Sequence, residues 1–435
     1  MIDKLKKTGV INFLHFVISD LFIKGILFLT LPILTFFLQP SDYGHLSVLA
    51  TLVTIFAVLF SLNLDNAVTN YYMRKENKFG EFLFSNILTI AVFQIIIITF
   101  IFLFKSCISK FVGVSEQDLL WVSFICLIIH YLNVYLAYLQ ASEQSKKYAY
   151  ITSSNKILEI VVMILFAYFL SSDKYMSKIY AQSIAIVIFL PYLLYKIYSL
   201  CEMKYSFSYV KTALLFGLPL IPHVLSSAII GQSDRLMINK MLSVSDAGIY
   251  SFAYNLGLSI TVLIYAWNSM WQPKFYSYYK DNNLDEIKKS INLYSKIISL
   301  STVMIILLMY PLVNFFINEE YLSALKLIPL LLLSNAFVFQ YLIYVNYAFY
   351  LRRTISISIA SIAAAVVNVV VNYIFIPKIG IIAAVLSTFI SSLVLVGIHY
   401  FNARRVSDIE VLPIQDAFKW FIPLIIFVVF YYVFF

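Results

Sequence analysis

The chain has 435 residues, of which 62% are apolar and only 12% charged, and its mean hydropathy is +0.88. Soluble domains hold about 45–50% apolar and about 25% charged residues, so a soluble globule of this composition could not cover its surface; the natural solvent is lipid. The formal charge of +9 would suit nucleic acid, but its placement in short loops assigns it to membrane topology and leaves no nucleic-acid partner expected.

A helix needs about 20 apolar residues to cross the hydrocarbon core. Stretches of that kind fall near 11–38, 46–70, 81–104, 119–140, 149–170 and 177–198. A more polar stretch follows, and six more lie near 212–240, 247–273, 290–317, 322–350, 354–376 and 380–402, with a last apolar segment at 416–435. A signal peptide would be one short segment before an ordinary chain, whereas here the apolar segments continue to Phe435. The expected fold class is therefore all-α integral membrane: two six-helix bundles and a thirteenth transmembrane helix. The expected domains are an amino-terminal bundle, 1–199, a cytoplasmic linker, 200–211, a carboxy-terminal bundle, 212–402, and a cytoplasmic loop with the extra segment, 403–435.

Lysine and arginine in short loops favour the cytoplasmic side. With these spans, 20 of the 31 fall on one side and 8 on the other, with Lys24, Lys156 and Lys296 inside spans. A miscounted span would scramble that alternation, so the bias supports the count and places the amino terminus inside. Cys107, Cys126 and Cys201 show no metal-ligand spacing, three is an odd number for a disulfide framework, and the histidines are scattered, so no metal is expected.

The loop after the first span reads Ser41-Asp42-Tyr43-Gly44, and the loop after the seventh reads Ser245-Asp246-Ala247-Gly248, 204 residues later. Both are expected to cap the helix that follows. Six spans is an even number, so a duplication of this kind is parallel, related by an axis along the membrane normal. Helix breaks fall at matching places: Gly25 and Pro32 in the first span, and Gly217, Pro219 and Pro222 in the seventh. Proline removes a helix hydrogen bond, and interrupted helices at corresponding positions of two halves point to gating kinks at a transport site.

These residues carry a resemblance. Gly217-Leu-Pro-Leu-Ile-Pro222, Gln232-Ser-Asp-Arg235 and Ser245-Asp-Ala-Gly-Ile-Tyr250 resemble the start of the carboxy-terminal half of Wzx-type polysaccharide flippases. Pro40-Ser-Asp-Tyr-Gly44, Asn368-Val-Val-Val-Asn372 and Ile376-Pro-Lys-Ile-Gly380 are similar to the same family, which belongs to the multidrug/oligosaccharidyl-lipid/polysaccharide exporter superfamily. The resemblance covers spans one to twelve; the thirteenth departs from the commonest pattern. It implies a V-shaped pair of bundles around a cationic cavity. The substrate it implies is an undecaprenyl-diphosphate-linked repeat unit of O antigen, capsule or a related glycan. It further implies alternating access coupled to an ion gradient or membrane potential, and partners such as a polymerase and a chain-length regulator.

Embedded charges are the residues to weigh independently of any family, because a charge at the bilayer centre costs roughly 2.5–3.5 kcal/mol on insertion scales and so faces a cavity or a partner. Lys24, Lys156, Arg235 and Lys296 are the cationic candidates for a diphosphate, which lysine and arginine suit. Asp20, Asp65, Glu159 and Asp234 are the counter-charge or ion-coupling candidates, for a proton or a sodium ion. Asp20–Lys24 and Lys156–Glu159 lie one turn apart and could equally satisfy each other. A multidrug exporter is the rival on the same architecture, but it would favour an apolar or acidic pocket. A glycan polymerase or glycosyltransferase would need a sizeable domain outside the bilayer, and the loops here are too short to supply one.

Overall fold

The computed structural model describes residues 22–434 apart from 24, 27, 75, 76 and 352. Among these residues the regular structure is helical throughout. Lipid requires this, because backbone polar groups find no water there and must be satisfied within each segment. Among the described residues eleven helices are long and apolar enough to cross a membrane. Two shorter apolar ones, α1 (Phe28–Phe37) and α18 (Phe421–Phe434), stand where the first and thirteenth spans are expected. The chain divides into two compact units: the described residues to Leu38 with His45–Ala228, and Gln39–Gly44 with Ile229–Phe435.

In the first unit α1 is followed by α2 (Pro40–Ser61), α3 (Leu64–Met73), α4 (Phe79–Leu103) and α5 (Lys105–Val112). Then come α6 (Glu116–Ala141), α7 (Ser145–Phe169), α8 (Met176–Leu200) and α9 (Phe207–Gly217). Its core joins Val68 and Tyr71 of α3, Phe82 and Leu83 of α4, Tyr135 and Leu139 of α6, Leu193 of α8 and Ala213 of α9. Tyr71 stacks on Phe82 with centroids 3.8 Å apart. This core corrects the expected linker. The stretch 200–211 is not a boundary, because α9 opens the seventh span yet buries its face against α3 and α4. The Ser206 N–H also donates to Ser85 Oγ at 2.9 Å, the Tyr209 hydroxyl donates to Glu81 at 3.4 Å, and Lys204 pairs with Glu81 at 3.8 Å. The division falls after Ala228 instead.

The seventh span breaks where its glycine and prolines predict, at a 3-10 turn over Leu218–Leu220, before α10 (Ile221–Met241). The second span also breaks, which the sequence reading does not anticipate. Leu62 and Asn63 both take left-handed backbone, with φ of 47° and 59°, a region that asparagine tolerates and leucine rarely enters. Ser61 Oγ accepts the Asn63 N–H at 3.1 Å, and Asn63 Oδ1 accepts from Asn66 at 2.6 Å. The two breaks meet, since a Cβ on Gly217 would lie 2.7 Å from the Leu62 carbonyl oxygen. The first span departs from expectation the other way: α1 runs through Pro32 as unbroken helix, with Thr35 Oγ1 donating to the Pro32 carbonyl at 2.9 Å. Gly25 is exposed and has nothing within 4 Å of its Cβ position.

The second unit continues with α11 (Val244–Gly257), α12 (Ser259–Lys280) and α13 (Leu284–Phe316). A 3-10 turn over Glu319–Lys326 leads to α14 (Ile328–Tyr350), α15 (Thr354–Ile379), α16 (Ile381–Val406) and the short α17 (Ile414–Phe418) ahead of α18. The central helix is α14, 83% of whose span is buried; apolar residues line it all round, as in a helix enclosed by others, and its Ser334, Asn335, Gln340 and Asn346 are buried with them. The thirteenth segment belongs to this unit. Ser295 Oγ of α13 and Gln340 Nε2 of α14 both donate to the Ala417 carbonyl, at 3.2 and 3.0 Å, and Phe337 and Phe339 meet Phe421.

The two matched motifs lie in first helical turns rather than in loops. The cap of α11 is Ser243, two residues before its motif, whose Oγ accepts the Asp246 N–H at 3.0 Å. The two turns touch through their glycines. A Cβ on Gly44 would lie 1.8 Å from the Val244 carbonyl oxygen, and one on Gly248 would lie 1.8 Å from that of Pro40. Residues 40 and 44 map onto 244 and 248 by the 204-residue offset, so the contact is reciprocal, as a two-fold relation between matched segments produces. Tyr43 is held there too, its hydroxyl accepting from Asn255 at 2.8 Å and its ring edge-on to Phe252 and Tyr321. These contacts group Gln39–Gly44 with the second unit.

Candidate functional site

The densest polar cluster within a membrane-spanning part of the second unit surrounds Asp234. From Ile229 onward α10 belongs to this unit, with Ser233, Asp234 and Arg235 all buried. Asp234 is 1% exposed, a position a charge holds only if its oxygens are met. Three helices supply donors. The Tyr250 hydroxyl of α11 and Thr388 Oγ1 of α16, the latter at 3.1 Å, both donate to Oδ2, and Asn372 Nδ2 of α15 donates to Oδ1.

A second ring locks those donors. Asn368, one turn before Asn372, accepts at Oδ1 from Ser233 at 3.2 Å and from Asn372 at 3.3 Å. Ser387 Oγ donates to Asn372 Oδ1 at 2.6 Å, and Thr388 Oγ1 also lies 3.0 Å from the Ala384 carbonyl oxygen, a second acceptor for its one proton. Every direct donor to the carboxylate is neutral. Asp234 is thus a buried carboxylate held by neutral donors, with Asn368 and Ser387 fixing the orientation of Asn372. A carboxylate so placed suits the uptake of a proton or a small cation. Among the described residues no group of three His, Cys, Asp or Glu could hold a metal ion.

Arg235 is its neighbour in sequence but is engaged elsewhere. Its Nε donates to Ser251 at 3.2 Å, Nη1 donates to the Gly231 carbonyl at 3.0 Å and to Gln232 Oε1, and the guanidinium lies 4.9 Å from the centre of the Tyr254 ring. The other sequence candidates are not brought to this cluster. In the first unit Lys156 Nζ lies 2.8 Å from both oxygens of Glu159, a pair closed within α7. Asp65 stands in the first turn of α3, just past the break at Leu62 and Asn63, and its buried Oδ1 has no hydrogen-bond partner among the described residues. Lys296 is exposed on α13, over the face of Trp420. Asp20 and Lys24 lie outside the described residues.

Tyr250, Asn368, Asn372, Ser387 and Thr388 are the functional candidates that charge-counting missed. One signal was present: asparagines at 368 and 372 share a helix face, and a polar seam on a membrane helix needs a partner.

The polysaccharide biosynthesis protein family matches residues 10–278. The Lsg locus protein 1 of Haemophilus influenzae is 26% identical over 407 residues, covering 90% of this chain and 97% of that one. Among solved structures, an inward-facing multidrug resistance MATE transporter superposes with a TM-score of 0.69 at 14% identity, covering 88% of this chain and 95% of the other. The lipid II flippase MurJ, inward closed, gives 0.67 at 16% identity, covering 95% and 92%. Those likenesses give the fold, that of transporters rather than enzymes. The chain belongs to the polysaccharide biosynthesis protein family and has the fold of the MOP-superfamily transporters.

Proposed function

We propose that the protein is a flippase for undecaprenyl-diphosphate-linked oligosaccharide repeat units, of O antigen, capsule or a related glycan. It moves them from the cytoplasmic to the outer leaflet of a bacterial cytoplasmic membrane by alternating access, with its amino terminus inside. A cation, proton or sodium, binding at Asp234 couples the cycle to the ion gradient. The observation that carries this reading is the buried carboxylate met only by neutral donors from three helices. Among the described residues no positively charged group is hydrogen-bonded to it, Arg235 acting on it only through space, and buried carboxylates of this kind mark ion paths in membrane proteins. Support for the glycan comes from the family's description and from the lipid II flippase among the structural neighbours. A polymerase and a chain-length regulator would act on the product.

The multidrug reading draws on the MATE neighbour. It is the weaker one, because the family that matches the chain is described by polysaccharide biosynthesis rather than by drug export. The deciding experiment removes the gene and follows the completed lipid-linked repeat units. Accumulation on the inner face, with surface glycan lost and restored by the gene, is the expected result. Completed units still reaching the outer face would overturn the reading and leave drug export to be tested.

A further inference from the structure

The thirteenth segment gives the second unit a feature that ion coupling does not use. Helix α13 has 33 residues, about 50 Å at 1.5 Å per residue, more than the roughly 30 Å of hydrocarbon. The 21 residues from Lys296 to Phe316 alone cover about 30 Å. With Phe316 at the far edge of the hydrocarbon, Lys296 stands at headgroup depth, and the turns before it, with Lys288 and Lys289, project beyond the bilayer.

The start of α18 meets α13 at that level. The Trp420 indole N–H donates to Asn292 Oδ1 at 2.8 Å, which fixes the ring, and Lys296 Nζ sits 5.1 Å from its centre. Lys419 is exposed beside it in sequence. Among the described residues neither lysine has a carboxylate partner; the nearest acidic groups in sequence are Glu286, paired with Lys289 at 3.8 Å, and the half-buried Asp416. Toward the membrane centre both helices turn apolar side chains outward: Ile297, Leu300, Met304 and Leu307 on α13, Ile422, Ile426 and Val429 on α18.

We infer that an anionic phospholipid docks along the seam between α13 and α18, its phosphate at Lys296 and Lys419 against Trp420, its acyl chains over the apolar faces. Charge complementarity selects the headgroup, since two lysines without carboxylates at phosphate depth favour a net-negative lipid over a zwitterionic one. Tryptophan suits the same depth. The extra segment thereby builds a lipid site on the unit's exposed face.

The test uses the full-length protein in bilayers and the fluorescence of Trp420, isolated by difference from W420F. Brominated phosphatidylglycerol should quench it at a lower mole fraction than brominated phosphatidylcholine, by roughly fivefold per participating lysine. K296Q and K419Q should each reduce that preference, K296R should keep it, and K378Q, on α15, should leave it unchanged. Equal quenching by the two lipids in the wild type, or a preference that survives in both glutamine variants, would overturn the proposal. So would displacement of the brominated lipid by a polyprenyl diphosphate more strongly than by unlabelled phosphatidylglycerol, which would assign the site to the cargo instead.

Discussion

Two buried carboxylates separate two ways of keeping charge inside a membrane protein. Glu159 in the first unit has its partner three residues away on the same helix, with Lys156 Nζ at 2.8 Å from both oxygens. That pair is neutral as a whole and asks nothing of other helices. Asp234 in the second unit is met by hydroxyls and an amide from three other helices. Hydrogen bonds from neutral donors stabilise the anion but leave its charge in place. The first arrangement fixes a helix surface, whereas the second keeps a site that a proton or cation can complete.

The comparison breaks most sharply at Asp234 itself. D234N keeps the shape and most hydrogen bonds but removes the charge, so glycan export should fall to background while the protein remains in the membrane. Export at the wild-type level, with unchanged ion dependence, would assign the carboxylate a purely structural role. N372A, which removes one donor to the carboxylate and a partner of the second ring, should cost roughly 10–100-fold in ion affinity or activity, the usual range for groups that orient a site. In α7 the opposite pattern is expected. K156M alone strands Glu159, and breaking a buried pair costs about 3–5 kcal/mol, less here because Lys156 retains 24% exposure. The double variant K156M/E159L should recover most of that stability in thermal unfolding, because both charges leave together. If transport collapsed in a stable double variant, the pair would have to be moved to the working site.

Glycines give a graded version of the same contrast. G44A and G248A each place a methyl where a carbonyl oxygen would lie 1.8 Å away. The two first turns must separate, at about 1–3 kcal/mol as for other overpacked contacts. G25A, with nothing within 4 Å, should leave the unfolding midpoint where it is. Equal effects at the three positions would remove the close crossing from the account.

Much of the architecture was legible because lipid imposes it. Each apolar stretch read as a span has a described helix, and the Gly217–Pro222 break falls where backbone chemistry puts it. The break at Leu62 and Asn63 was not legible, since a leucine in left-handed backbone is chosen by tertiary contact with Gly217 rather than by its own preference. Helix α13 begins at Leu284 rather than near 290 because a helix leaving the bilayer can carry lysines, which a hydropathy reading counts as loop. The linker was misplaced for a related reason: polarity in 200–211 marks contact with water, not the absence of packing. At the site, Asp234 was visible as a charge, but its meaning depended on Tyr250, Asn372 and Thr388, which only the folding of four helices brings together.

The smallest effect expected concerns how the matched turns are set. Ser243 caps α11 by accepting the Asp246 N–H at 3.0 Å, and its hydroxyl donates to the Asp246 carboxylate at 2.7 Å. Removing such a cap costs about 1 kcal/mol. The exposed hydroxyl–carboxylate bond adds little, because water replaces it readily. S243A should therefore lower the unfolding midpoint slightly, S243D or S243T should restore it, and export should stay near the wild-type level because neither residue touches Asp234. A loss of export larger than the loss of stability would mean that the start of α11 does more than hold Gly248 against Pro40: its register would also be setting Tyr250, less than two turns further on, against the carboxylate.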